Sequence, residues 1–213
     1  MRKRTVLAGF VPTIAVLLLI ALLPMLTVED VSAMKRSGLQ GPWGVAIGDF
    51  DSDGQNEVAY TEYFRAPSAI TVVETNGENS WYREFVSDPA GVAIGDFDND
   101  GQNEHAIAFC NPDHEVTVYS YPSMLTVESW PSVIYPIGVA IGDFDNDGLN
   151  DIAFAALDPS SVTVYKSDGT TIIRQWTGLH NPMGVAIGDY DNDGLNDLAF
   201  AQSTSSGNVT VYR

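Results

Sequence analysis

Four acidic segments hold most of the residues in this sequence that could do chemistry. They are residues 49–57, 96–104, 143–151 and 189–197, and each has carboxylates at its first, third, fifth and ninth positions and a glycine at its sixth. No Lys or Arg lies within them. Four carboxylates in nine residues repel one another unless a cation neutralises them. Hard oxygen donors without His or Cys favour Ca²⁺, which takes about six to eight oxygens in flexible geometry, over zinc or copper.

The regular spacing predicts about four Ca²⁺ ions per chain, one in each acidic loop. The carboxylates at positions 1, 3, 5 and 9 are the expected ligands, together with the backbone carbonyl at position 7. Leucine at position 7 of two loops fits a backbone role, because a side-chain ligand there would have to be polar. The predicted set is Asp49, Asp51, Asp53, Gln55, Glu57, Asp96, Asp98, Asp100, Gln102, Glu104, Asp143, Asp145, Asp147, Leu149, Asp151, Asp189, Asp191, Asp193, Leu195 and Asp197.

The acidic segments share only their first half with an EF-hand loop. An EF-hand loop begins in the same way but needs a bidentate Glu at position 12. Position 12 is here an apolar or aromatic residue, namely Tyr60, Ile107, Phe154 or Phe200, so the EF-hand is excluded. Solvated Asp and Asn turns would also account for the composition of the loops. One carboxylate register repeated four times favours a metal over such turns.

The loops mark an internal repeat. Their first residues are spaced by 47, 47 and 46 residues, and each loop follows the pattern PxGVAIGD. Each copy contains short alternating apolar stretches separated by Gly, Pro, Asp and Asn, which is typical of strands. A period of this size with four strands predicts an all-β fold, a β-propeller of four blades with four strands each. The aromatic residues at position 2 of the loops, Phe50, Phe97, Phe144 and Tyr190, are expected to pack between blades.

The last copy ends after its third strand, and the stretch SGLQGPWGVAIGD from Ser37 aligns without gaps with TGLHNPMGVAIGD from Thr177. This alignment predicts that an N-terminal strand completes the fourth blade and closes the ring. A larger ring shared by two chains, a homodimer, is the alternative.

Residues 1–33 indicate export. Three basic residues precede an apolar run over about residues 6–26, and small residues follow up to Ala33. The segment is predicted to be a signal peptide cleaved after Ala33, or else an N-terminal membrane anchor. Residues 34–213 then form the repeat domain, either secreted or on the extracellular face of the membrane.

Charge and cysteine content limit the partners and the source of stability. The net charge of −18 argues against nucleic acid or an anionic membrane surface as a partner. The single cysteine, Cys110, cannot form an intramolecular disulfide and is expected to be a small buried residue at a strand end. Stability outside the cell must therefore come from packing or from metal.

The repeated motif DxDxDGxx[DE] resembles the calcium loops of FG-GAP and VCBS repeats, which occur in the β-propeller heads of integrin α chains and in many secreted bacterial and archaeal proteins. The resemblance covers nearly all of residues 34–213. It implies that each loop joins the first and second strands of a blade on one rim. It also implies that Asp49, Asp51, Asp53 and Glu57, and their equivalents in the other copies, bind Ca²⁺.

The sequence favours a binding function over catalysis. It contains no GxSxG or HExxH motif, and His105, His114 and His180 do not recur at one repeat position. We therefore expect an adhesion module for a protein or a glycan. The alternatives are a domain of a secreted polysaccharide-active enzyme and a structural cell-surface component. Trp81, Tyr82, Trp130 and Trp176 could stack on sugars, although packing between blades is the favoured role for such large aromatics.

Overall fold

The computed structural model describes residues 35–213 except for residues 65, 86, 87, 112 and 113. Residues 36–213 form one compact unit, and the described residues contain fifteen strands and no helix. The described residues therefore contain no helix that is long and apolar enough to cross a membrane. The predicted signal peptide or anchor, residues 1–33, lies outside the described residues.

The strands form four antiparallel sheets, each made of strands that are consecutive in the chain. This arrangement confirms the all-β fold with four propeller blades. The first blade is β1 (Pro42–Gly48), β2 (Glu57–Glu62), β3 (Ser68–Val73) and β4 (Asn79–Phe85). The second is β5 (Asp88–Gly95), β6 (Glu104–Asn111), β7 (Glu115–Ser120) and β8 (Thr126–Trp130). The third is β9 (Ile134–Gly142), β10 (Asp151–Asp158), β11 (Ser160–Tyr165) and β12 (Ile172–Thr177), and the fourth is β13 (Pro182–Gly188), β14 (Asp197–Gln202) and β15 (Asn208–Tyr212).

The blades pack face to face, which explains the composition of their strands. The middle strands of the second and third blades lie between two neighbouring blades and are therefore buried on both faces; β10, for example, is buried over its first six residues. An aromatic residue from each of the first three acidic loops is buried in the core, such as Phe50, which is 1% exposed. The clusters around Phe97 and Phe144 combine residues of adjacent blades. Hydrophobic burial between sheets therefore holds the blades together.

The innermost strands approach one another so closely that only glycine fits at the contact. A β-carbon added to Gly91 in β5 would lie 2.7 Å from the carbonyl oxygen of Ile137 in β9. One added to Gly138 in β9 would lie 2.9 Å from the carbonyl oxygen of Met183 in β13. In the second and third blades, the first glycine of the repeated GVAIGD pattern is thus required by the distance to the next blade.

Asparagine side chains link the acidic loops of successive blades. The amide of Asn150 donates to the carbonyl oxygen of Asp96 at 2.8 Å, and its backbone N–H donates to Asn99 Oδ1 at 2.9 Å. Asn196 makes the same two bonds to Asp143 and Asn146, at 2.7 and 2.8 Å. Each of the first three loops is therefore held by the blade that follows it.

The predicted closing strand is not seen among the described residues. Residues 35–41 are not in a strand, and the described part of the fourth sheet has three strands. Arg36 instead donates to Gly77 O and Asn79 Oδ1 of the first blade, and the Gln40 N–H donates to Glu62. These bonds, with two glycines at positive φ, hold the segment beside its own blade. The alignment reflected the repeat, whereas local hydrogen bonds decide where this segment packs.

The predicted burial of the position 2 aromatics is confirmed in the first three loops and wrong in the fourth. Tyr190 is 70% exposed, whereas Phe50, Phe97 and Phe144 are buried. No blade packs against the far side of the fourth sheet among the described residues: a β-carbon on Gly184 would meet no atom within 4 Å. The four blades therefore form an open arrangement.

We expect Asn150→Ala to lower the free energy of unfolding by about 1–3 kcal/mol, because the carbonyl of Asp96 loses its donor at a partly buried contact. Asn56 occupies the same repeat position in the first blade, is exposed, and has no such bond among the described residues. Asn56→Ala is therefore the matched control and, measured at a protein concentration that keeps the chain monomeric, should leave chemical denaturation almost unchanged. Equal effects of the two substitutions would contradict the cross-blade role.

Candidate metal centres

Each acidic loop brings three carboxylates together. In every cluster the ligand oxygens lie within 4.8 Å of one another. The clusters are Asp49, Asp51 and Asp53; Asp96, Asp98 and Glu104; Asp143, Asp145 and Asp151; and Asp189, Asp191 and Asp197. Four clusters built in the same way from four repeats match the number of sites predicted from the sequence.

The loop backbone arranges these carboxylates through a sharp turn. Position 4 has a positive φ near 60° in all four loops, and the glycine at position 6 has φ between 89° and 93°. The glycine N–H donates to the position 1 carboxylate at 2.9–3.0 Å, as Gly54 does to Asp49. The N–H at position 7 donates to the position 5 carboxylate at 2.8–3.0 Å. The turn therefore bends the chain around the side chains at positions 1 and 5.

The ninth residue fixes the loop to the blade. Glu57, Glu104, Asp151 and Asp197 begin the second strand of each blade and are buried. Each accepts a hydrogen bond from the backbone N–H at position 2, at distances from 2.8 to 3.0 Å. One oxygen of each carboxylate is thus used within the protein, and in the last three loops the ninth-position carboxylate also belongs to the cluster.

Several of these oxygens are buried without a hydrogen-bond donor. They are Asp49 Oδ1, Glu57 Oε1 and Asp96 Oδ1. A buried carboxylate oxygen without a partner is unfavourable, and a cation among such oxygens removes the cost. Oxygen-only donors with unpartnered buried oxygens fit Ca²⁺. Calcium would supply the positive charge that these oxygens lack.

Burial raises the pKa values of three ninth-position carboxyls, those of Glu57, Glu104 and Asp151. The pKa of Glu104 rises to about 7, first because burial disfavours its charged form and then because Asp98 and Asp100 repel it. Burial in the same way raises the pKa of Asp151 to about 6. The pKa of Glu57 also rises, with burial again the largest cause. These carboxyls hold a proton more tightly than usual when no cation is present.

Cationic side chains lie against the third and fourth clusters. The ammonium of Lys166, just after β11, is 2.6 Å from Asp145 and 2.7 Å from Asp147. Arg213 pairs with Asp191 of the fourth loop. These contacts show that the clusters attract positive charge, and sequence reasoning missed both cations because they lie outside the repeated motif.

The structure brings most of the predicted ligands together, but not all. Positions 1 and 3 belong to all four clusters, whereas position 9 belongs to three and position 5 only to the first. The position 5 carboxylates outside the clusters accept the position 7 N–H, as Asp53 also does; they are Asp100, Asp147 and Asp193. The Leu149 and Leu195 side chains are exposed. The ligand roles of these residues, including the position 7 carbonyls, stay predictions.

The remaining candidate residues serve mainly in packing. His105 lies on a strand, as predicted, but is buried and stacked on Phe50 at 4.3 Å, and burial lowers its pKa to about 4. Trp130 donates to Gly169 O, and Trp176 packs on Phe200 and Tyr212. Packing is thus confirmed as the role of these tryptophans and of Trp81, which contacts Phe50. Tyr82 is exposed. The burial predicted for Cys110, near the end of β6, stays a prediction.

The repeat type follows from the third and fourth loops. Residues 143–200 match the family model described as the FG-GAP-like repeat. This stretch is similar to an FG-GAP-like repeat. The resemblance predicted from the acidic loops is thereby confirmed, and the matched repeat contains two of the four clusters. No curated protein matches the chain significantly in sequence.

Several solved structures have folds similar to that of this chain. The V. cholerae biofilm matrix protein Bap1 is 21% identical, with a TM-score of 0.51 over 79% of this chain and 26% of its own. The BBS1N domain in complex with ARL6DN is 12% identical, with a TM-score of 0.56 over 83% of this chain and 57% of its own. A streptogramin B lyase is 17% identical, with a TM-score of 0.50 over 84% and 56%. The chain thus spans less than two thirds of each of these proteins, and the likeness concerns the fold.

Calcium binding by the acidic loops should weaken as the pH falls from about 7.5 to 5.5. A carboxyl whose pKa is raised must lose its proton before it can bind a metal, so Glu104 and Asp151 become protonated and compete with calcium. Calorimetric titration with Ca²⁺ at several pH values measures this change. The variant Glu104→Gln should bind one ion fewer and lose the pH dependence near 7. Affinity that does not change with pH would contradict the burial of these carboxyls.

Proposed function

We propose that this chain is an exported, calcium-binding adhesion module that binds a protein or a glycan outside the cell. The observation that carries the proposal is the fourfold cluster of carboxylates, which includes buried oxygens without donors. Such a site is useful where calcium is plentiful, and extracellular modules bind calcium with dissociation constants of about 0.1 to 1 mM. The ions would then act as permanent structural elements.

Support for a binding role comes from the repeat type. FG-GAP propeller repeats are generally non-catalytic. Bap1 is a biofilm matrix protein, and its fold is similar to that of this chain. The apolar segment before residue 34 agrees with export. These observations favour an extracellular binding module over an enzyme.

An aromatic patch on the rim opposite the acidic loops is the proposed contact with the ligand. Trp43 and Tyr63 lie with ring centroids 5.1 Å apart, and Tyr63 and Phe64 are 4.9 Å apart. Phe64 is 70% exposed, and Trp43 is also exposed. The patch lies at the start of β1 and after β2, whereas the acidic loop joins the other ends of these strands. Exposed neighbouring rings offer stacking faces for a sugar or anchors for a protein.

Binding of the full-length chain to a glycan array and to extracellular matrix proteins tests this function. We expect binding in calcium, and Phe64→Ser should reduce it at least tenfold because one exposed ring of the patch is lost. Tyr82→Ser removes another exposed ring outside the patch and is the matched control. Turnover of a polysaccharide would favour the enzyme alternative. Absence of both binding and turnover would favour a structural surface component.

A further inference from the structure

We propose that two copies of this chain associate head to tail, the fourth blade of one packing on the first blade of the other. The inference goes beyond the proposed function, because it concerns how the chain assembles. Two surfaces define the contact. The leading face is formed by Val45, Ile47 and Asn56 of the first blade. The trailing face is formed by Gly184, Gly188, Tyr190 and Val209 of the fourth blade.

The three contacts between blades within the chain show what the leading face is built to do. In β5 and β9, the residues equivalent to Val45 are Val92 and Val139, and both are buried against the preceding blade. Ile94 and Ile141, equivalent to Ile47, cover the glycines Gly48 and Gly95 of the preceding blade. In β1 the equivalent side chains are exposed to solvent: Val45 is 68% exposed and Ile47 is 70% exposed.

The trailing face is the matching half of the same contact. A β-carbon at Gly142 would lie 3.0 Å from Ile187 of the next blade, whereas one at the equivalent Gly188 would meet nothing within 4 Å. Val116 and Val162 are fully buried, but the equivalent Val209 is 70% exposed. Hollows of about 270 and 210 Å³ lie on this face, the first lined by Gly188 and Tyr190 and the second by Gly184 and Val209. They lie where a following blade would place its Ile and Val.

The hydrogen-bond pattern is also complementary. Within the chain, Asn150 and Asn196 each reach back to the acidic loop of the preceding blade. On the leading face Asn56 has no such partner among the described residues, and on the trailing face the fourth loop receives no such asparagine from the described part of the chain. A second copy supplies the partner for both. Asn56 of one copy then takes the place of Asn196, and the fourth loop of the other copy takes the place of the third loop.

A second copy of the chain therefore fits both faces, because each face is one side of a blade-to-blade contact that the chain already makes three times. The contact is heterologous, with different surfaces meeting on the two copies. Two such contacts close a ring of two chains, and repeated contacts extend an open series. In both cases the exposed apolar side chains and the asparagine of the leading face are covered.

The substitution Gly184→Val tests the contact without disturbing the chain itself. Its β-carbon meets no atom within 4 Å, and its φ is not positive, so folding should be unaffected. On the trailing face the new side chain would collide with the backbone of a docking copy, as a β-carbon does with Met183 O at Gly138. Gly138→Val is the contrasting control and should destabilise the chain.

The experiment measures the mass of the full-length chain in solution with calcium by light scattering. We expect the unaltered chain to have the mass of two copies or of a concentration-dependent series, and Gly184→Val to be a monomer with unchanged circular dichroism. Ile47→Asp, which changes the leading face, should also be a monomer. A mixture of these two variants should form a one-to-one complex, because each retains the face that the other lacks.

If mixing the two variants did not restore association, the contact would not join the leading face to the trailing face, and the proposal would be overturned. A monomeric unaltered chain at every concentration would also overturn it. Equal association of the unaltered chain and of both variants would place the contact elsewhere and would refute it as well.

Discussion

Repulsion among carboxylates held at the rim is the constraint on which the rest of this structure depends. Each acidic loop folds back so that its ninth residue accepts the position 2 N–H. In the last three loops this places a buried carboxylate beside two others. The same bond positions the position 2 aromatic ring, which in the first three blades enters the packed core. The hydrogen bond between positions 2 and 9 therefore both closes the acidic loop and positions the aromatic ring that packs in the blade.

The loops are also coupled to one another. Asn150 and Asn196 bind the backbone and the position 4 side chain of the preceding loop, so a loop that loses its shape also loses a contact with its neighbour. A ligand that binds only the folded state adds about 2.7 kcal/mol per site when its free concentration is a hundred times its dissociation constant. Calcium bound at several coupled sites would have the stabilising role that disulfides have in secreted domains, since this chain has a single cysteine.

Much of this fold could be predicted because the chain repeats it. The spacing of Asp49, Asp96, Asp143 and Asp189 predicted four blades, and alternating apolar stretches predicted their strands. The clusters were predicted because ligand chemistry requires a fixed register along the loop. Position 8, always asparagine, carried an equally regular signal that was missed, since its role depends on the neighbouring blade and not on its own loop.

Predictions failed where local contacts outweigh the repeat. The segment before Pro42 resembles a strand in sequence, but bonds from Arg36 and Gln40 keep it beside the first blade. Tyr190 is exposed because nothing in the described part of the chain packs on the fourth blade, and only the three-dimensional arrangement reveals that. Lys166 joins the third cluster from the β11–β12 connection, where no repeated motif marks it.

Calorimetric unfolding of the full-length chain, with excess calcium and with a chelator, tests most directly whether the acidic loops hold the fold together through metal. We predict a substantially higher melting temperature in calcium, together with about four bound ions per chain by elemental analysis. The same melting temperature in both conditions and no bound calcium would contradict the account, because the buried carboxylates would then be tolerated without a cation.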